Sequence, residues 1–359
     1  MPIESPSAPA ISRGFDVHGF RFRITGAASS SSVGRLAGDF EFFQSEEDVA
    51  GLRIELCTQP PPYAEAPNEV ATNYTPRNVS FSLRETTWLD YGGRARAVWD
   101  RAAGIFRVFS EDPDLQYEAA YLFLLSRIGE ALDERRLHRI HALALEYHER
   151  AVLAVFPMGG GKSTLGAAML RFPEIGFLSD DSPFISPAGR VHAFPLRLGL
   201  LPGSESAIPP ELRRTIRRME FGPKVVVNYD YFAHRVQASA EPGIVFLGRR
   251  SFGDTCRIEP ARPGERYRSI LADCVVGLGL FQGVEFVLRH SPMQILGKAG
   301  VAWSRFRGAQ NLFRRSEVYR LVLGRDSARN AETVFQFVQQ RLRGNLPPVG
   351  QSGDRREPC

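Results

Sequence analysis

Residues 151–166, Ala-Val-Leu-Ala-Val-Phe-Pro-Met-Gly-Gly-Gly-Lys-Ser-Thr-Leu-Gly, decide the fold. An apolar run, a glycine-rich turn and a helix-like segment to about 171 follow one another. A phosphate-binding loop needs this order, because successive backbone N–H groups and the helix N-terminus then converge on an anion. In such a loop Gly159, Gly160, Gly161, Lys162, Ser163 and Thr164 surround nucleotide phosphates, with Lys162 reaching the outer ones and the Ser163 hydroxyl on Mg²⁺. The usual G-x-x-x-x-G-K-[ST] pattern asks for glycine at 156, and this chain has Phe156. A flexible strand-to-helix turn without a ligand is the plainer alternative.

The surrounding composition suits a globular α/β chain. It has 359 residues, 43% of them hydrophobic, enough for a full core and about two domains. No apolar run reaches about 18 residues. Residues 1–14 lack the basic region and apolar core of a signal peptide, so a cytoplasmic protein without a membrane partner is expected. Cys57, Cys256, Cys274 and Cys359 are scattered, which indicates neither a disulfide framework nor a zinc site. The net charge of +5 hides a bias: Lys162, Lys224 and Lys298 are the chain's lysines, leaving 42 arginines among 45 basic residues. Biased genome composition explains this more simply than nucleic-acid binding, and no nucleic-acid partner is expected. Lysine retained at 162 suits a compact, mobile charge among phosphates, which a planar guanidinium replaces poorly; the other two lysines weaken that argument.

Taken in order, residues 1–14 read as disordered, and 15–24 alternate like one half-buried strand. A helix at 33–43, a strand at 52–57, a proline-rich loop at 60–73 and strands at 79–83, 95–99 and 105–109 complete a small, mainly antiparallel sheet with nothing catalytic in it. Asp112-Pro113 opens a helix to about 136. The expected units are a β-rich region 15–136 with a long helix at its end, a P-loop core 137–345, and a disordered tail 346–359.

Within that core, 140–148 reads as a strand paired with the one leading into the loop, and Pro173 stops the helix after Lys162. Residues 175–181 form a short strand ending in Asp180 and Asp181. In layered α/β folds ligands bind beyond the carboxyl ends of strands, where the loop and both aspartates emerge. Two adjacent carboxylates supply a Mg²⁺ ligand and a base for a hydroxyl, although Ser-Asp-Asp-Ser-Pro is also an ordinary turn. Farther on, 190–201 reads as a strand bent at Pro195. Residues 209–219 read as a helix with Leu212, Ile216 and Met219 inward and Arg213, Arg214, Arg217 and Arg218 on a solvated basic face. Strands at 224–231, 243–247 and 318–323 and helices at 267–280 and from Asn330 follow.

His141, the loop at 156–163 and Leu178-Ser-Asp-Asp181 together resemble the core of the HPr kinase/phosphorylase superfamily, whose fold is akin to phosphoenolpyruvate carboxykinases. His141 precedes Lys162 by 21 residues, and the aspartates follow it by 18 and 19. The likeness covers about 138–200. It departs at Phe156 and Met158, which stand for the loop's first glycine and its serine, and at Ala142, where the family has glycine. The N-terminal 110 residues do not look like the family's regulatory domain, and no phosphorylase signature follows.

The resemblance implies a PEP carboxykinase-like core of mixed β-sheet flanked by helices, acting as an ATP- and Mg²⁺-dependent kinase on a Ser or Thr hydroxyl of a protein or peptide. It implies Lys162 and the loop amides on the β- and γ-phosphates, and Ser163 with Asp181 as metal ligands. Asp180 and Asp181 are catalytic, with His141 tuning the base. Arg197 or Arg249 neutralises developing charge. A homo-oligomer is left open. The competing readings are a nucleotide-binding regulatory or assembly module without catalysis and a carboxykinase-like small-molecule phosphotransferase.

Overall fold

The computed structural model describes residues 10–47, 51–65, 70–200, 208–220, 222–270, 274 and 292–343. Residues 1–9 and the expected tail lie outside them. The chain is α/β, with two large sheets and a small third one.

The first sheet begins earlier than the sequence suggests. Strand β1 (Ala10–Val17) and β2 (Phe20–Ala27) form a hairpin turning at His18-Gly19, so residues 10–14 are ordered strand and 15–24 is not one strand but parts of two. Both turn residues have positive φ. This chirality lets a two-residue turn join twisted strands, and it breaks an alternation that otherwise reads as continuous. Helix α1 (Ser31–Asp39), β3 (Gln44–Ser45), β4 (Leu52–Cys57), β5 (Asn73–Tyr74), β6 (Val79–Leu83), β7 (Thr86–Asp90), β8 (Arg96–Asp100) and β9 (Ile105–Phe109) follow. The sheet has nine strands in the order β3-β1-β2-β4-β9-β8-β7-β6-β5. It is mainly antiparallel but neither small nor wholly so, since β4 runs parallel to both β2 and β9.

Helix α2 (Pro113–Glu134) starts as the sequence says: the Asp112 carboxylate accepts from the amides of Asp114 and Leu115, with proline at the first helical position. Its two buried sides join the regions. Tyr117, Phe123 and Ile128 belong to one apolar core with Phe15 and Phe106 of the first sheet and with Phe184, Phe194, Ile216 and Val226 of the second half.

The second sheet is built around β12 (Arg150–Val155) and the long β19 (Ser239–Arg250), which run parallel. With β10 (His138–Arg139), β11 (Leu143–Tyr147), β13 (Gly176–Ser179), β14 (Phe184–Ile185) and β15 (Val191–His192) the order is β10-β14-β15-β19-β12-β11-β13. Strand β21 (Glu317–Leu323) adds parallel to β19, and β20 (Arg257–Pro260) antiparallel to β21. The expected strand 140–148 is interrupted: residues 140–142 leave the ladder, and His141 sits in that gap rather than in a strand. Alternate residues of β12 explain its apolar run. Val152, Ala154 and Phe156 pack with α3 (Lys162–Met169) and α6 (Ser327–Arg343), while Ala151, Leu153 and Val155 pack with α5 (Pro292–Arg314), a helix the sequence reading did not anticipate. A strand covered on both faces loses its polar alternation.

A third sheet, β16 (Leu198–Leu200), β18 (Lys224–Val227) and β17 (Arg213–Ile216), overturns the helix expected at 209–219. Its prolines open a short 3-10 turn at Pro210–Leu212, after which Arg213 to Ile216 pair with β18. The 2- and 3.6-residue periods both bury Leu212 and Ile216, so tertiary pairing decides. Of the arginines expected on a solvated face, Arg217 is exposed, whereas Arg214 is half-buried and reaches back to buried Asp39. Residues 190–201 give two short strands, β15 and β16, rather than one bent strand, and β18 ends at Val227, short of the expected 231. The helix expected at 267–280 appears as α4 (Pro263–Ser269); most of its later part lies outside the described residues.

Asp39, 2% exposed, accepts from Arg214 Nη2 at 2.7 Å, from Arg197 Nη1 at 3.3 Å and from the Tyr117 hydroxyl. This cluster ties α1 and α2 to the strands beside the site. Removing Asp39 leaves two guanidinium groups without their carboxylate, and breaking a buried pair costs about 3–5 kcal/mol. Asp39→Ala is therefore expected to lower the unfolding free energy by about that amount, read from urea denaturation against wild type.

Candidate functional site

The loop 156–161 leaves β12 at the carboxyl edge of the second sheet. Strand β13 is antiparallel to β11, as β12 is, so β13 points the same way and delivers Asp180 and Asp181 to the same edge. Gly159 and Gly161 turn through positive φ, 73° and 99°, to aim the chain into α3. Gly161 caps that helix without a side-chain hydrogen bond. The first-turn amides of α3 therefore face outward without a capping side chain, the condition for holding an anion.

Phe156, the departure from the loop pattern, is 1% exposed. Its ring points down into the core, where a Cβ on Gly248 of β19 would stand 2.2 Å from it, and a Cβ on Gly160 would stand 2.8 Å from the Phe156 Cβ. Glycines at 160 and 248 make the room that the loop's missing glycine would have left. Met158 lies exposed on the outside of the turn.

Lys162 is 6% exposed, and its ammonium donates to Nε2 of His141 at 2.7 Å and to the carbonyl of Phe156 at 3.2 Å. An ammonium can only donate, so Nε2 of His141 is the acceptor and Nδ1 carries the hydrogen. That nitrogen lies 3.1 Å from Oδ1 of Asp181, turned too far for an aligned hydrogen bond, and Lys162 Nζ lies 3.7 Å from the same oxygen. The break between β10 and β11 is what lets His141 reach both.

Ser163 donates to Oδ2 of Asp180 at 3.0 Å, as does the amide of Gly199. The expected metal pairing was Ser163 with Asp181; the contact made is Ser163 with Asp180. The other oxygen of Asp180, itself 5% exposed, has no partner among the described residues. The two carboxylates are pushed apart. Burial raises Asp180 above the ordinary carboxylate range and Asp181's charge adds to this, against the pull of Lys224 and the hydrogen bonds from Gly199 and Ser163. Burial also opposes ionisation of Asp181, but the close approach of His141 and the charges of Lys162 and Lys224 outweigh it and hold this half-exposed group far below that range.

Lys224 is the residue the sequence reading passed over. It lies on β18 along Gly199, and two of the chain's three lysines thus face the aspartate pair. The rarity of lysine was the usable signal. Thr164 is half-buried in the first turn of α3. Arg197 lines a cleft with both aspartates that no loop residue joins, and is held by Asp39 and Tyr117. Arg249 lines a separate cavity with Phe156 and Pro157, while Arg250 lies against Gly161. Among the described residues no group of three or more His, Cys, Asp or Glu side chains could by itself hold a metal ion, and no helix is long and apolar enough to cross a membrane.

No protein-family model matches the chain, and no curated protein matches it.

Asp180 binds its proton more tightly folded than unfolded, so its ionisation opposes folding as pH rises above the unfolded value of 3.8. Asp180→Asn should be more stable than wild type at neutral pH, with the difference closing as pH falls toward 3.8. Asp181 is the reverse: Asp181→Asn should be less stable at neutral pH, with the difference closing below 3.8. Urea midpoints across pH 3–8 read both signs. Gly248→Ala drives a methyl into the Phe156 ring and should cost about 1–3 kcal/mol in the same assay.

Proposed function

We propose that this chain is an ATP-dependent, Mg²⁺-assisted phosphotransferase acting on a hydroxyl of a Ser or Thr side chain in a protein or peptide, built on a PEP carboxykinase-like P-loop core. The observation that carries the reading is the convergence of three sequence-distant elements. The uncapped N-terminus of α3, His141 from the break in the sheet, and Asp180-Asp181 from the end of β13 meet through Lys162 and Ser163. A strand-to-helix turn without a ligand gives no reason for a buried ammonium, an unpaired carboxylate oxygen and an imidazole to gather there.

In this reading the first-turn amides and Lys162 hold the β- and γ-phosphates. Ser163 and Asp180 fit a Mg²⁺ ion, since the buried, unpartnered Asp180 oxygen asks for a cation; the ion would neutralise phosphate charge. Asp181, kept ionised and exposed enough to meet a substrate, takes the proton of the acceptor hydroxyl, and His141 fixes its orientation. The acceptor oxygen bonds to the γ-phosphorus as the bond to the bridging oxygen breaks, and ADP leaves with the electron pair. The catalytically silent alternative drew on Phe156 and Met158. Phe156 is buried in the core below the loop, so its side chain does not crowd a phosphate there, and Met158 is exposed.

The test is transfer from γ-labelled ATP with Mg²⁺ to serine peptides and lysate proteins. Lys162→Ala is expected to lower the rate by about 10²–10³, and Asp181→Asn by about 10²–10⁴. Nucleotide binding with no transfer to any protein or peptide would overturn the reading, and label confined to small molecules would move it to the carboxykinase-like class.

A further inference from the structure

Behind the aspartate pair lies a cleft of about 110 Å³ in which no residue from 156 to 164 takes part. Asp180 and Asp181, which meet Ser163 and Lys162, form part of its wall, so a group seated in it stands next to the proposed reaction centre. Its charge is one-sided. Arg77, Arg139, Arg197, Arg217, Arg218 and Lys224 line it against the acids Glu118, Asp180 and Asp181.

Some of these cations have protein partners: Arg77 pairs with Glu220 at 2.7 Å and Arg197 with Asp39. Two inner ones make no close ion pair with a described residue and meet only longer-range opposite charge, Lys224 from Asp180 and Asp181 and Arg139 from Asp133 and Asp181. Arg139 is 9% exposed, donates to the Leu125 carbonyl, keeps its Nε without a partner, and makes no ion pair with any described residue. Lys224 is half-buried and makes neither a hydrogen bond nor an ion pair with a described residue. Burial pushes both below the ordinary range for their types. A buried cation is retained against its desolvation cost when something supplies the opposite charge. None of the residues 156–164 proposed to surround a nucleotide lines this cleft.

We propose that this cleft seats the acceptor by an anionic group, a carboxylate or phosphate next to the hydroxyl, with Arg139 and Lys224 as inner contacts and exposed Arg217 at the rim. That the ligand is an acceptor rests on the phosphotransferase reading; the preference for an anion does not.

Binding without nucleotide therefore separates the two. Full-length protein is titrated with a capped Glu-Glu-Ser-Glu-Glu peptide, its Gln-Gln-Ser-Gln-Gln counterpart, and malate as a small hydroxy acid. Binding of the acidic peptide or of malate, at least tenfold tighter than the Gln peptide and weakened at least tenfold in Lys224→Met, supports the cleft. Arg217→Gln, a surface change that leaves the fold intact, should weaken the same probe and leave ATP affinity unchanged. Which acidic probe binds tells peptide from small molecule. Equal or absent binding of acidic and neutral probes, in protein that still binds ATP, overturns the proposal and spares the phosphate loop. Anion binding in protein that neither binds nor uses ATP upholds the cleft and sinks the phosphotransferase reading.

Discussion

The buried ammonium of Lys162 is the constraint on which the second half of the molecule depends. A cation 6% exposed needs partners for its donors, and a loop carbonyl and an imidazole accept from it while a carboxylate stands at ion-pair distance, 3.7 Å. To bring them together, β12 must end where it does, the sheet must open between β10 and β11 to free His141, and β13 must run parallel to β12 with one strand between. The same requirement places Ser163, one residue on, against Asp180. Charge placement and strand order are thus one arrangement, and the differing environments of the two aspartates are its result.

Phe156 shows how a pattern departure is absorbed. A loop glycine is needed where a side chain would crowd the phosphates, but a side chain directed away from them is no obstacle. Gly248, on the neighbouring parallel strand, and Gly160 supply the space. The substitution and its compensation lie 92 residues apart in sequence, so only strand pairing relates them.

The N-terminal region takes part in the site although it contributes nothing to the loop. Arg77, Tyr117, Glu118 and Tyr121 line the cleft beyond the aspartates, and Asp39 fixes Arg197 and Arg214. The shared apolar core makes α2 a wall common to both halves. Arg197 packs over Tyr121 at 3.8 Å from the ring centre, a cation held by aromatic and anionic partners together.

The sequence by itself determined the strand–loop–helix at 151–169, the spacing of His141 and the aspartates about Lys162, the helix begun at Asp112-Pro113 and most strands, because these rest on local chemistry: apolar period, glycine, proline and capping. Tertiary structure decided the rest. Residues 213–216 became a strand because β18 offered backbone partners, where the apolar spacing fitted a helix equally well. The hairpin at His18-Gly19 shows in the sequence only as a shift of the apolar positions from odd (Phe15, Val17) to even (Phe20, Phe22, Ile24), and the break before β11 leaves the apolar run at 140–145 without an interruption. Which aspartate meets Ser163, where Phe156 points, and that Lys224 and Arg139 share one cleft were invisible for a single reason. Burial and charge are set by groups distant in the chain, and no window of sequence contains them.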